Sequence, residues 1–445
     1  MSLIHADSAE CGLSQLDLFN VPPTQISLRS GRFNEYKPIG SLDQLRNSSS
    51  TKPADLEFKL EKTNVYRDFR NSVLHLQVQI LKSDGTKLKK GADHKDPAVA
   101  LINLAGNTIF QQTDIYLNKV LITQSTNTTP YRTYIEHQLC YGQDAKQSQL
   151  TSFGYSKDLA GLFDSTALTG TTANTGFVYR QNLSKDSKIV ELTGVINCDL
   201  FNQARYIPGH IPIEIKLTRA SDAFCLIADA DEYMLIIKSA VFIVREIALE
   251  ENCIRAHQRL LQTHPYKFPI KKVETKSFNV TADCFETEIN SISSRVPNFM
   301  AVAFVDGTAY SGSIKKNPFN FQHFNINKIE VNLAGNSQPQ APIQLDFDNK
   351  SFIRAYNAMF TNKTSREHGN DIDRNDFSDG YTIFCFEFTP DLSSGDHFDI
   401  VRYENLVLKI NFKKVLDRPI NCITYLEFDS IITYDKYGAV VQYPK

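Results

Sequence analysis

Asp114-Ile115-Tyr116-Leu117-Asn118 leads into Tyr131-Arg132-Thr133-Tyr134, and Lys328-Ile329-Glu330-Val331-Asn332 leads into Ile353-Arg354-Ala355-Tyr356. Each pair reads as a strand followed by a short helix carrying Arg-x-Tyr. The gap is 14 residues in the first (Asn118 to Arg132) and 22 in the second (Asn332 to Arg354). Further on, Ile215-Lys216-Leu217-Thr218-Arg219 matches Ile410-Asn411-Phe412-Lys413-Lys414, and an apolar closing strand follows each, Ala240 to Arg245 and Ser430 to Tyr434. Four similar segments in the same order indicate one structural unit used twice.

The unit is built of strands. Leu74-His75-Leu76-Gln77-Val78-Gln79-Ile80 alternates apolar and polar residues, as do Ile211 to Leu217, Ile329 to Leu333 and Leu406 to Phe412. A period of two places one row of side chains on a core and the other outside it. Met234 to Ile237 and Val241 to Val244 are apolar throughout and suit strands buried on both faces. Many strands between Gly, Asn, Asp and Ser turns predict an all-β chain of antiparallel sandwiches. Two short helices interrupt them. Tyr131, Tyr134, Ile135 and Leu139 share one helical face, and so do Phe352, Tyr356, Met359 and Phe360.

Four parts are predicted: an arm over residues 1–52, a first unit over 53–250, a linker over 251–264 and a second unit over 265–445. The arm holds Pro22, Pro23, Pro38 and the polar run Asn47 to Thr51, with little periodicity. Two insertions, about 145–200 and Thr361 to Gly380, read as surface loops at one end of the sandwiches.

Composition excludes several functions. The 445 residues hold 48 Lys and Arg against 50 Asp and Glu, a formal charge of -2, which argues against coating nucleic acid. The arm's charges also cancel, so no direct nucleic-acid binding is expected from it. Phe224 to Leu249, the most apolar stretch, is broken by Asp229, Asp231, Glu232 and Lys238, and no membrane span is predicted. The first residues show no secretory signal. The eight cysteines include no C-x-x-C, so reduced and mostly buried thiols are expected, without zinc.

No catalytic, cofactor-binding or metal-binding residue is nominated. Phosphate-loop, dinucleotide, nucleophile-elbow and zinc-protease motifs are absent. His257 and His264 lack an acidic partner at useful spacing. Asp371-x-Asp373-x-Asn375 has the flavour of a calcium loop, but Asp376 stands where that loop has glycine and Thr382 where it has a carboxylate. An acidic surface loop is expected there. Lys87-Leu88-Lys89-Lys90 reads as a solvated turn.

Leu16-Asp17-Leu18-Phe19-Asn20-Val21-Pro22-Pro23-Thr24-Gln25 resembles the N-terminal segment of major capsid proteins of Polinton/Maverick elements and adintoviruses. Asp114 to Asn118, Pro130 to Glu136, Leu139 to Gly142, Phe324 to Val331 and Tyr434 to Gly438 are similar to the same proteins, over nearly the whole chain. The resemblance implies a hexon-like double jelly roll, two tandem eight-stranded antiparallel sandwiches with short helices. It implies a homotrimer forming a pseudo-hexagonal capsomer of an icosahedral double-stranded DNA virus or virus-like element. Neighbouring capsomers, penton and minor capsid proteins are then the partners, and the virion capsid, assembled inside the host cell, is the location. The arm would anchor on the shell's inner face, on neighbouring capsomers or on an internal membrane. Two other readings are a carbohydrate-binding jelly-roll module without catalysis, weakened by the absence of Trp, and a glycosidase with two carboxylates about 5 to 9.5 Å apart.

Overall fold

The alternating segments pair as their pattern requires. The computed structural model describes the chain apart from residues 1–4, 6, 41–54, 90–95, 231, 291, 362, 364–367, 393–396 and 445. Part of the arm and Lys90 lie outside the described residues. The first unit is built on β1 (Leu28–Tyr36), β2 (Asp55–Leu60), β3 (Tyr66–Lys82), β4 (Phe110–Leu117), β5 (Val120–Leu121), β6 (Val190–Gly194), β7 (Ile213–Arg219) and β8 (Tyr233–Leu249), with the short strands Val99–Leu101, Ile207–Pro208 and Leu226–Ala228 in addition. The second is built on β9 (Tyr266–Val280), β10 (Glu286–Ile289), β11 (Phe299–Asp306), β12 (Ile326–Leu333), β13 (Asn336–Gln344), β14 (Ile383–Glu387), β15 (Leu406–Phe412) and β16 (Ile420–Tyr434), with the short strand Val440–Tyr443 added to β16.

Both units have the same strand order. The first pairs β1-β8-β3-β6 in one sheet and β2-β7-β4-β5 in the other; the second pairs β9-β16-β11-β14 and β10-β15-β12-β13. Each is a jelly roll, and the strand eight places later occupies the same position in its own roll. The sequence pairs land accordingly: β4 on β12, β7 on β15 and β8 on β16. Helices α1 (Thr129–Cys140) and α4 (Ile353–Ala358) both lie between the fifth and sixth strands of their rolls. Inner rows are fully buried, as at Leu74, Leu76, Val78 and Ile80 on β3. Phe58 of one sheet meets Phe242 of the facing one, ring centres 6.0 Å apart. Each fully buried large apolar side chain contributes about 1.5–3 kcal/mol.

Three expectations need correction. Leu28–Tyr36, assigned to the arm, is a full strand paired with β8 from Leu28↔Leu249 to Tyr36↔Phe242. It is an edge strand exposed along most of its length, so it lacks the alternation by which β3 is recognised. Segment 145–200 is not a run of surface loops. It contains α2 (Thr175–Ser184) and buries Leu150, Phe153, Tyr155, Phe163 and Phe177. The Phe153 ring lies between Gly106 and Gly194, where added Cβ atoms would come within 1.9 and 2.4 Å of it. Only Thr169 to Thr172 form an exposed tip. Short helical turns with irregular apolar spacing leave no period to read. Third, the Arg132 side chain is only 12% exposed and Arg354 is exposed, so equivalent positions have different packing.

The rolls meet along the outer edge of β9. Val273 N–H donates to Asp199 Oδ1 at 3.2 Å, Thr128 Oγ1 donates to the Thr275 carbonyl at 3.1 Å and Arg205 donates to the Lys267 carbonyl at 2.8 Å. These three positions share one parity and face away from β16; Pro269 shares it and has no N–H to leave open. Beside them an aromatic layer joins α1 to the second roll: Tyr134 stacks on Phe319 at 4.3 Å and Tyr131 on Tyr310 at 5.4 Å. Tyr381 O–H donates to the Asp158 carbonyl at 2.7 Å. Asp158 is itself paired with Arg180 at 2.8 Å, both fully buried. The Lys146 ammonium, also buried, donates to the Gln138 carbonyl and Oε1 in the first roll and to the Asn370 carbonyl in the second. Helix α3 (Glu251–Leu261) links the rolls and buries no residue.

Two predictions follow from this junction. Arg132→Ala leaves Asp199 and Glu136 without their cation, at 2.6 and 3.8 Å; it should cost about 3–5 kcal/mol, against less than about 0.5 for Arg354→Ala, measured by denaturant unfolding. The second concerns pH. Burial lowers the Lys146 pKa to about 7, against the opposing pull of Asp371. The unfolded chain therefore holds a proton there that the fold does not. Stability from this group should rise from pH 7 toward the unfolded value, by about 1.4 kcal/mol per pH unit. Comparing wild type with Lys146→Met between pH 7.5 and 9 isolates it, because the opposing effect of buried thiols such as Cys198, raised by burial to about 12, is common to both proteins.

Candidate functional site

A cleft of about 580 Å³ opens between the rolls below the α1 junction. Its floor is an ionic network. Arg132 bonds Asp199 at 2.6 Å and approaches Glu136 at 3.8 Å; Lys363 pairs with Glu427, which also accepts from Tyr425 O–H at 3.1 Å. Asn298 donates to Asp429 Oδ2 at 2.8 Å. These four carboxylates are thus committed to structural partners. The lining is charged, and Phe398 is its single aromatic residue, unlike the aromatic pocket that a sugar-binding loop would need.

The residues singled out in sequence are mostly used in folding. Asp373 caps helix α5 (Arg374–Ser378), its Oδ1 accepting from Asn375 N–H at 2.6 Å and Asp376 N–H at 2.8 Å. Asp376 completes the capping box and pairs with Lys157 of the first roll at 2.7 Å; Asp371 faces the same Lys157 at 3.6 Å. The acidic run is therefore a helix cap docked across the junction. His257 Nδ1 bonds Tyr66 O–H at 2.8 Å and His264 bonds Thr263 at 2.8 Å, with no carboxylate between them. Lys87 and Lys89 are exposed around a buried Leu88. All eight cysteines are free thiols; Cys198, Cys225, Cys385 and Cys422 are buried.

One cluster escaped the sequence reading. Asp391, His397 and Asp399 line the cleft's mouth, with ligand atoms of all three within 4.8 Å of one another. The signal was Asp-x5-His-x-Asp, a spacing shared by many loops and meaningful only once the loop's path is known.

Two surfaces are apolar and uncovered. In the arm, Leu13, Leu16, Leu18, Phe19, Val21 and Ile26 are all exposed, Phe19 to 95%. The loop between β14 and β15 exposes Phe398, Ile400 and Tyr403, with Ile400 at 90%. Exposed apolar groups at this density mark contacts with another surface. Among the described residues no helix is long and apolar enough to cross a membrane.

No protein-family model matches the chain. An uncharacterized protein of Caenorhabditis elegans is 27% identical over 354 residues, covering 77% of this chain and 81% of its own length. A chain of the Sputnik virophage structure superposes with a TM-score of 0.62 at 11% identity, over 99% of this chain and 94% of that one. The mavirus major capsid protein gives 0.55 at 11% identity, over 99% and 96%. The Faustovirus major capsid protein gives 0.55 at 8%, over 94% and 92%. The full-length superpositions agree with the strand order: the chain has the double jelly-roll fold of these viral proteins.

Proposed function

We propose that the chain is a major capsid protein of an icosahedral double-stranded DNA virus or virus-like element and works without catalysis. The observation that carries this is the pair of jelly rolls with identical strand order, joined side by side and superposable end to end on the mavirus and Faustovirus capsid proteins. Three copies supply six rolls, the basis of a pseudo-hexagonal capsomer. The rolls act as rigid walls whose buried residues join in one core across the junction, with residues 251–264 as the link between them. Neighbouring capsomers, penton and minor capsid proteins then occupy the outer faces, and the assembled chain resides in the virion. The Caenorhabditis elegans relative supports an element carried in an animal genome as the source.

The arm is assigned to anchoring. Ahead of β1, which begins at Leu28, its exposed apolar residues run from Leu13 to Ile26. It offers a flat apolar ribbon to a neighbouring capsomer or an internal membrane.

Native mass measurement should give about 151 kDa, three times 50.4 kDa, with hexagonal outlines in negative stain. A persistent 50.4 kDa monomer would refute the capsomer. Deleting residues 1–26 should preserve the trimer and abolish closed shells; normal shells would refute the anchoring role. Deleting residues 1–50 should in addition lower stability, because it removes β1 and bares the edge of β8.

A further inference from the structure

The cluster at the cleft's mouth joins one imidazole to two carboxylates. His397 Nε2 lies 3.1 Å from Asp391 Oδ2, and the Asp399 carboxylate completes the group within 4.8 Å. Atoms bound to one ion at about 2.0–2.2 Å sit about 3.0–3.5 Å from each other. The His–Asp pair already has that separation, and a side-chain rotation closes the rest. Two bonds hold the described part of the loop: Asp399 N–H donates to Asp429 Oδ2 at 3.2 Å, and Arg402 donates to the Phe388 carbonyl at 2.9 Å.

An independent observation is the charge of the cleft. Six carboxylates line it: Glu136, Asp199, Asp391, Asp399, Glu427 and Asp429. Arg132, Arg205 and Lys271 face them, and Lys363 pairs with Glu427 from behind. With Arg295, which donates to the Asp429 carbonyl at 2.7 Å, counted beside them, six carboxylates face five cations and the cleft keeps a net negative charge. Uncompensated charge in a partly enclosed site is costly, and a bound cation removes that cost.

We propose that Asp391, His397 and Asp399 bind one divalent transition ion of the zinc class, with water completing its shell. The mixed nitrogen and oxygen donors select such an ion over calcium or magnesium, which prefer oxygen alone. The ion fastens the β14–β15 loop against the junction and sets the exposed Phe398 and Ile400 in a defined position. The site stands on its own residues and does not depend on the capsid reading.

The test is calorimetric titration of chelator-treated full-length protein with ZnCl2, and with CaCl2 in parallel. One Zn2+ per chain is expected, with calcium much weaker. His397→Ala and Asp399→Asn should each weaken zinc binding by at least about tenfold, while Asp348→Asn, on a remote exposed turn, should not. Circular dichroism checks that the variants fold. A Co2+ spectrum without thiolate charge-transfer absorption should separate this site from the free cysteines. Absence of zinc binding, unchanged affinity in His397→Ala, or preference for calcium would each overturn the proposal.

Discussion

An open β-strand edge is a row of unmet hydrogen-bonding groups, and a fifteen-residue edge such as β9 is a large one. The way that row is met determines most of what surrounds it. Asp199, Thr128 and Arg205 reach it from the first roll. Pro269 removes one donor. Asp199 needs Arg132 to remain ionised in a buried position, and Arg132 needs Glu136; α1 holds both where Tyr131 and Tyr134 stack on the second roll. The cleft is the space left under this bridge where the edge at Lys271 is not covered.

The aromatic layer and the ionic network do different work. Stacked rings bury area without directional demand and supply adhesion. Buried ion pairs supply little net stability, yet they penalise any alternative arrangement that separates them. Together they let one relative placement of the rolls prevail, which is what a wall built of repeated subunits requires. The same reasoning applies to Lys146, whose donors are met by three carbonyls taken from both rolls.

The sequence revealed what depends on period. β3, β7, β12 and β15 alternate because one face is core and the other is not, and their order disclosed the duplication before any pairing was known. β1 was missed because an edge strand with little buried surface carries no such pattern. The segment from 145 to 200 was misread because its buried residues hang on short turns. Arg132 and Arg354 were matched correctly in position and incorrectly in environment. Burial at a junction depends on the neighbouring roll, to which local sequence is blind. The Asp391, His397 and Asp399 cluster was invisible for the same reason.

Duplication also leaves an imbalance. The edge of β9 is met in part within the chain, at Lys267, Val273 and Thr275, whereas among the described residues no strand pairs with the outer edge of β1, its counterpart in the first roll. A molecule that masks one of two equivalent edges exports the other. Were a second copy to meet that edge as the second roll's edge is met within the chain, the contact would be heterologous.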